Sequence, residues 1–359
     1  MKEKAIKAYR VIGLPRLVIV VMLISLYIAA DYLGLGVGKL FEDNLVRTGM
    51  NGILVLAMMP AIICGVGMNF GLPVGIVCGI IGGLISIEMD LRGFPALLVA
   101  IAISIPLSAV VGILYGKLLN KVKGSEMTVS TYVGFSITSL MCIGWLVLPF
   151  NSGEIRWPIG KGVRVTISLS GRYDKILNEL GSFQMPIPNL VTGGVSYAQV
   201  PTGLLIFFLI FCILMWLFLK SKTGIAMKAA GDSPKFAIAS GINVDRQRLI
   251  GTALSTILGA IGIVVYAQSY GFYQLYTAPM MMAFPAIAAI LIGGASSSKA
   301  KISHVIIGTF LFQGLLVVAL PVANKILPEG NLSEVMRVII QYGIILYALT
   351  KASGGEEGE

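Results

Sequence analysis

Charge is scarce in this chain. Asp, Glu, Lys and Arg make up 12% of its 359 residues, where soluble domains carry about 25%. Hydrophobic residues make up 56%, and the mean hydropathy is +0.88. Together these exclude a soluble enzyme. The four cysteines (Cys64, Cys78, Cys142, Cys212) all lie inside apolar runs and lack metal-ligand spacing, so they are read as small buried apolar residues. A nucleotide-binding loop of the form G-x-x-x-x-G-K followed by Ser or Thr is absent. Any ATP chemistry must therefore come from a separate chain. No metal or cofactor is expected on this one.

What the chain does have is a series of apolar runs near the roughly 20-residue length of a transmembrane helix. The first, after basic residues 1–16, covers about 17–36. It is too long and lacks the cleavage site of a signal peptide, so it is read as a first span. A loop is expected over 37–48. The apolar region 49–88 is too long for one span and breaks at Met68-Asn69-Phe70-Gly71-Leu72-Pro73. Further spans are expected at 94–116, 127–149, 201–219, 248–269, 281–294, 303–320 and 334–350. The fold class is all-α: about ten transmembrane helices with both termini on one side. Residues 1–351 are expected to form a single permease-like domain, with a flexible acidic tail at 352–359.

Charge distribution orients the bundle. The side of the termini holds 17 of the 27 basic residues, and the two sides net +10 and 0. The positive-inside rule places the excess in the cytoplasm. The basic balance therefore reports topology and not nucleic-acid binding. The polar section 150–200 falls outside the membrane. Val163, Val165, Ile167 and Leu169 alternate with polar residues as a strand does. Residues 173–180 suit a short helix, and Met185-Pro186-Ile187-Pro188 is extended.

The interior lacks mid-span ionisable residues, which coupled carriers need on their path. Asp31, Glu88, Glu334 and Arg337 fall near helix ends, and His304, the single histidine, reads as an interfacial or capping residue. The polar groups left for a translocation path are uncharged: Asn69, Thr128, Tyr132, Gln268 and Gln313. Phe70, Met281 and Phe284 are apolar candidates beside them. A neutral, hydroxylated or amide-bearing cargo follows from that set. Glycine-rich breaks at 65–75 and 293–298 mark interrupted helices, a feature of transport routes. The Gly-x-x-x-Gly spacings at 71–75 and 75–79 suit close helix packing.

The longest cytoplasmic interruption, 220–247, has internal order. Ser233 suits a helix N-cap, Pro234 its first position and Gly241 the residue past its end. A helix over 233–240 is shorter than the about 12–15 residues that hold a helix alone, so something outside the membrane is expected to hold it. The run Ala229-Ala230-Gly231-Asp232-Ser233-Pro234-Lys235-Phe236-Ala237-Ile238-Ala239-Ser240-Gly241-Ile242-Asn243-Val244 resembles the A-x-G-x-N-x-x-A-A-x-x-S-G-I-N-V loop of bacterial ABC importer permeases of the ribose/xylose/galactose type, in the branched-chain amino acid/ribose permease superfamily. Gly67 to Gly75 resembles their G-I-D-L-S-V-G break, with Asn69 and Phe70 standing where an aspartate is usual. Ile292-Gly293-Gly294-Ala295 resembles their late glycine pair.

The resemblance implies a type II importer permease in the cell (inner) membrane that is not itself an enzyme. Two permease copies, or this chain and a paralogue, would form the channel. ATPase subunits carrying Mg-ATP would bind beneath, and an extracytoplasmic binding protein would deliver a monosaccharide. Gly231, Asp232, Ser233, Pro234, Ala237, Ser240 and Gly241 would couple to the ATPase, with small residues at 237, 239 and 240 permitting close docking. Section 150–200 would help dock the binding protein. A nucleoside or other small solute is the alternative cargo. A secondary carrier or channel, or a membrane scaffold, are the competing classes.

Overall fold

The computed structural model of the chain describes residues 14–156, 163–189 and 191–326, with isolated positions 338, 339, 342, 343 and 346 beyond. The expected span at 334–350, Glu334, Arg337 and the acidic tail therefore lie largely or wholly outside the described residues. Helix α1 covers Leu14–Tyr32, α2 Val37–Leu56, α3 Met58–Ile63, α4 Leu72–Glu88, α5 Gly93–Lys121 and α6 Glu126–Val147. The polar section follows, with β1 (Thr166–Ser168), α7 (Ile176–Glu179), β2 (Phe183–Pro188) and β3 (Val195–Val200). Then come α8 (Thr202–Lys220), α9 (Lys222–Asp232), α10 (Pro234–Ala239), α11 (Val244–Tyr270), β4 (Phe272–Gln274), α12 (Thr277–Met281), α13 (Ala283–Ile292) and α14 (Ile302–Ile326).

Among the described residues, six helices are long and apolar enough to cross a membrane: Val37–Ile63, Gly93–Lys121, Glu126–Val147, Thr202–Lys220, Val244–Tyr270 and Ile302–Ile326. The first merges α2 with α3. Its kink at Ala57 has a local cause: the Pro60 ring has no N–H to donate and clashes with the carbonyl four residues back, at Leu56. The expected loop at 37–48 is instead the opening of α2. Lys39 reaches Glu42 at 2.6 Å and Asp43 at 3.5 Å along one helix face, so the charges that suggested a loop are paired at helical spacing. Pro279 and Pro285 sit in the first turns of α12 and α13, where the missing N–H is unpaired in any helix.

α11 is the central element, packed against α2, α4 and α5. The crossing with α4 uses the Gly-x-x-x-Gly spacing: a methyl on Gly75 or Gly79 would lie 2.4 Å from the Thr256 carbonyl oxygen or 2.3 Å from that of Ala260. Two-thirds of the span Val244–Tyr270 is buried, against 22% for α6 and 28% for α8, which leaves α6 and α8 on the periphery.

The described residues of the section after α6 carry strand pairing. β1 pairs antiparallel with β4, Ile167 opposite Tyr273, and β2 pairs with β3. Arg172 binds Glu154 of the same section at 2.9 and 3.1 Å and ties that section to the α4–α5 turn through Asp90 at 2.9 Å. The buried Tyr173 hydroxyl donates to that of Tyr273 at 3.1 Å. Burial pushes the Tyr173 phenol above its ordinary pKa. Asp31 accepts from the Val191 N–H at 2.7 Å and the Thr192 hydroxyl at 2.8 Å.

Candidate functional site: the 220–247 end and a polar cavity in the bundle

One end of the bundle gathers α9, α10, the break at 64–71, the α5–α6 turn and the 293–301 segment. Arg16, at the start of α1, donates to the Gly294 carbonyl there at 3.1 Å. A cavity of about 440 Å³ at this end is lined by Trp216, Lys220, Lys228, Asp232, Lys299 and Lys301 among others. Lys220 stacks over the Trp216 ring at 3.6 Å, a pairing suited to a membrane boundary.

The stretch 220–247 is two helices and not a loop with one. Ser221 caps α9 by accepting from the Gly224 N–H at 3.2 Å. Ser233 ends α9 and caps α10, accepting from the Phe236 N–H at 3.4 Å, and Pro234 takes the first position. Gly241 follows at φ +78°, a backbone region open to glycine. Its N–H bonds the Ile238 carbonyl at 3.0 Å, and the Ile242 N–H bonds that of Ala237 at 2.9 Å, the double closure of a Schellman motif. Ala237 faces inward, fully buried with Ala230 and Val244. In this chain its methyl is spent on packing. Phe236 and Ile238 flank it, 66% and 65% exposed. Asp232, Ser233, Pro234, Ser240 and Gly241 are also exposed, and Gly231 is partly so.

Gly231 has a structural task of its own. A methyl there would lie 2.1 Å from the Ile63 carbonyl oxygen and 2.9 Å from the Gly65 amide. α9 thus rests directly on the break between α3 and α4. Arg248 joins the same place from α11. It is 7% exposed and donates to the Gly65 carbonyl at 3.3 Å, to Asn120 at 3.0 Å and to Glu126. Position 248 opens the span expected at 248–269, and nothing in the local sequence singles Arg248 out. Its burial depends on α5 and α6 arriving from elsewhere in the chain.

The expected path residues separate into different places. Asn69 is 1% exposed. Its oxygen accepts from the Tyr115 hydroxyl at 2.8 Å and the Gly71 N–H at 3.0 Å, and its amide donates to Ser255 at 2.8 Å. Those bonds close the break onto α5 and α11. Gln268 is fully buried, accepting from the Leu177 N–H at 3.2 Å and donating to Asn178 at 3.2 Å; it anchors α7. Phe70 and Phe284 stack with ring centres 5.4 Å apart in a narrow cleft with Thr131 and Met280. Thr128 and Tyr132 point outward from α6.

Met281 lines a different cavity, about 200 Å³, between α2, α11, α12, α13 and α14. Its polar lining is Arg47, Asn51, Tyr266, Gln274, Thr277 and Gln313. Arg47 lies ten residues into the span Val37–Ile63, roughly 15 Å along its axis. Arg47 is exposed and is the last charged residue before the apolar part of that span; because 37–48 is helix and not loop, it is held against this cavity. Among the described residues there is no group of three or more His, Cys, Asp or Glu side chains placed to hold a metal ion.

Residues 40–349 match the family described as branched-chain amino acid transport system / permease component. The chain belongs to that family, and with its six apolar helices it is a multi-pass membrane protein of the cell membrane. It is 30% identical over 148 residues to the nucleoside ABC transporter permease protein NupC of Lactococcus lactis subsp. cremoris (strain MG1363), covering 40% of this chain and 45% of that one. It is 27% identical over 186 residues to the tyrosine transport system permease protein of Clostridioides difficile (strain R20291), covering 50% and 59%. The autoinducer 2 import system permease protein LsrD of Escherichia coli O157:H7 is 28% identical over 173 residues, covering 46% and 49%. The chain spans about half the length of the curated relatives it matches. No solved structure matches it.

Proposed function

We propose that this chain is the membrane-spanning subunit of an ATP-driven importer of a small polar solute. Hydrolysis takes place on a separate ATPase subunit docked at the 220–247 end, which faces the cytoplasm with the N-terminus. A binding protein delivers solute at the opposite end, over β1–β4. A second permease copy or paralogue completes the channel, and the peripheral α6, with Thr128 and Tyr132 outward, is the face offered to it. The observation that carries this is α10: six residues closed by caps at both ends, packed inward through Ala237 with Phe236 and Ile238 exposed. A helix that short does not persist by propensity, and exposed apolar groups of this kind suit a protein interface.

Transmission follows from packing. A push on α10 passes to α9, with which it shares Ser233, and from Gly231 to the 64–71 break. Arg248 carries it on to α5, α6 and α11. Sugar, nucleoside and amino acid remain open as cargo: the relatives' names span a nucleoside, tyrosine and autoinducer 2. Mild-detergent purification of the tagged chain from its native host tests the function. An ATPase subunit should co-purify and be lost on Phe236→Asp or Ile238→Asp. Purification free of any ATPase would overturn the proposal.

A further inference from the structure

The cavity between α2, α11, α12, α13 and α14 is lined by polar side chains that are not spent on the fold. Gln313 is 5% exposed, yet its amide makes no hydrogen bond within the chain, nor do the Gln274 amide and the Tyr266 hydroxyl, among the described residues. Buried side-chain amides ordinarily have partners, so groups left open toward one space mark a place where something else supplies them. Arg47 completes the set. Its guanidinium has no acidic partner among the described residues, although Lys39, Arg172 and Arg248 are each paired with a carboxylate. The side chain of Asn51 holds the Arg47 backbone carbonyl at 2.9 Å. The rest of the wall is apolar, from Met50, Leu54, Met282 and Pro285, while Arg47 itself reaches solvent.

We propose that this cavity is a solute subsite and that Arg47 receives an oxyanion group of the transported solute, a carboxylate or a phosphate, with the Gln274 and Gln313 amides and the Tyr266 hydroxyl taking its remaining polar atoms. The chemistry is that of the guanidinium: a planar fork of donors matched to an oxyanion with two oxygens in one plane. A volume of about 200 Å³ is below the ~300–1,000 Å³ of drug-sized ligand pockets. It admits an amino acid or the charged end of a larger molecule. Met281 and Thr277, on the short α12, stand at its wall, where a shift of α12 would open or close it. The assignment rests on the importer function and names the charge its cargo carries.

The test uses the full-length protein in detergent and matched probes that differ by one group. L-Tyrosine against tyramine isolates the carboxylate, and uridine monophosphate against uridine isolates the phosphate. Melting of the wild-type protein should shift upward with at least one oxyanion-bearing probe at millimolar concentration and not with its counterpart lacking the oxyanion. Arg47→Gln should weaken that response at least tenfold. Arg47→Lys should lie between, keeping the charge without the fork, and supplies the comparison if Arg47→Gln does not fold. Gln313→Leu should weaken it several-fold. Equal shifts from tyramine or uridine, an undiminished response in Arg47→Gln and Arg47→Lys, or no response to either oxyanion would each overturn the assignment. ATPase co-purification with the Arg47 variants is scored in parallel. If it is retained while oxyanion binding fails, the subsite falls and the importer function stands.

Discussion

The α-carbon of Gly231 is pressed against the main chain of Ile63, so that a methyl group on it would lie 2.1 Å from the Ile63 carbonyl oxygen. No rotamer relieves a clash with backbone. Gly231→Ala should cost about 1–3 kcal/mol, the range of overpacking, and lower the melting temperature in detergent. A large residue at 231 would damage the fold before it tested coupling. An unchanged melting temperature for Gly231→Ala would show that α9 does not rest on the break.

The exposed side chains of α10 separate coupling from folding. Phe236→Ala and Ile238→Ala remove groups that touch solvent, so stability should stay within about 0.5 kcal/mol, as for ordinary surface changes. Solute uptake by cells or proteoliposomes should fall at least tenfold. Normal uptake with both substitutions present would remove α10 from the energy path. Ser233→Ala, which deletes the cap, should cost about 1 kcal/mol and show a partial uptake defect.

Arg248 and Glu126 form a buried pair, with side chains 9% and 13% exposed. Glu126 also accepts from the Gly124 N–H at 2.8 Å. Removing one partner strands the other, at about 3–5 kcal/mol for a buried charge. Arg248→Leu should therefore be more damaging than Arg248→Leu with Glu126→Leu together. A double-mutant cycle on denaturation in detergent measures it, and strict additivity would mean the pair is not coupled.

Asn69 is a joint. Asn69→Ala leaves the Tyr115 hydroxyl and Gly71 N–H short of an acceptor. The loss should be about 1–3 kcal/mol per stranded group, while the solute preference of the importer stays as in the parent. A changed preference at intact stability would place Asn69 on the path.

The differences among these residues explain what could be read in advance. Local signals suffice for α10, because caps and a positive-φ glycine act within a few residues of chain. Among the described residues, six of the expected spans likewise follow from run length, since lipid tolerates only internally bonded backbone. Strand pairing in the outer section was half visible: the alternation at 163–169 pointed to β1, but its partner β4 lies about a hundred residues later.

By itself the sequence determined a multi-pass membrane protein with interrupted helices and a short capped helix in its longest polar interruption. Composition, run length and turn chemistry are local properties, so no knowledge of contacts was needed. Tertiary structure alone decided which polar groups are spent on the fold and which are left free. Asn69 and Gln268 look like path residues in the chain and are consumed by Tyr115, Ser255 and Asn178. Arg47 looks like loop charge and faces a cavity. A hydrogen bond between residues far apart in sequence leaves no mark on either neighbourhood, so satisfaction of a buried polar group is legible only once the helices that supply its partner are in place.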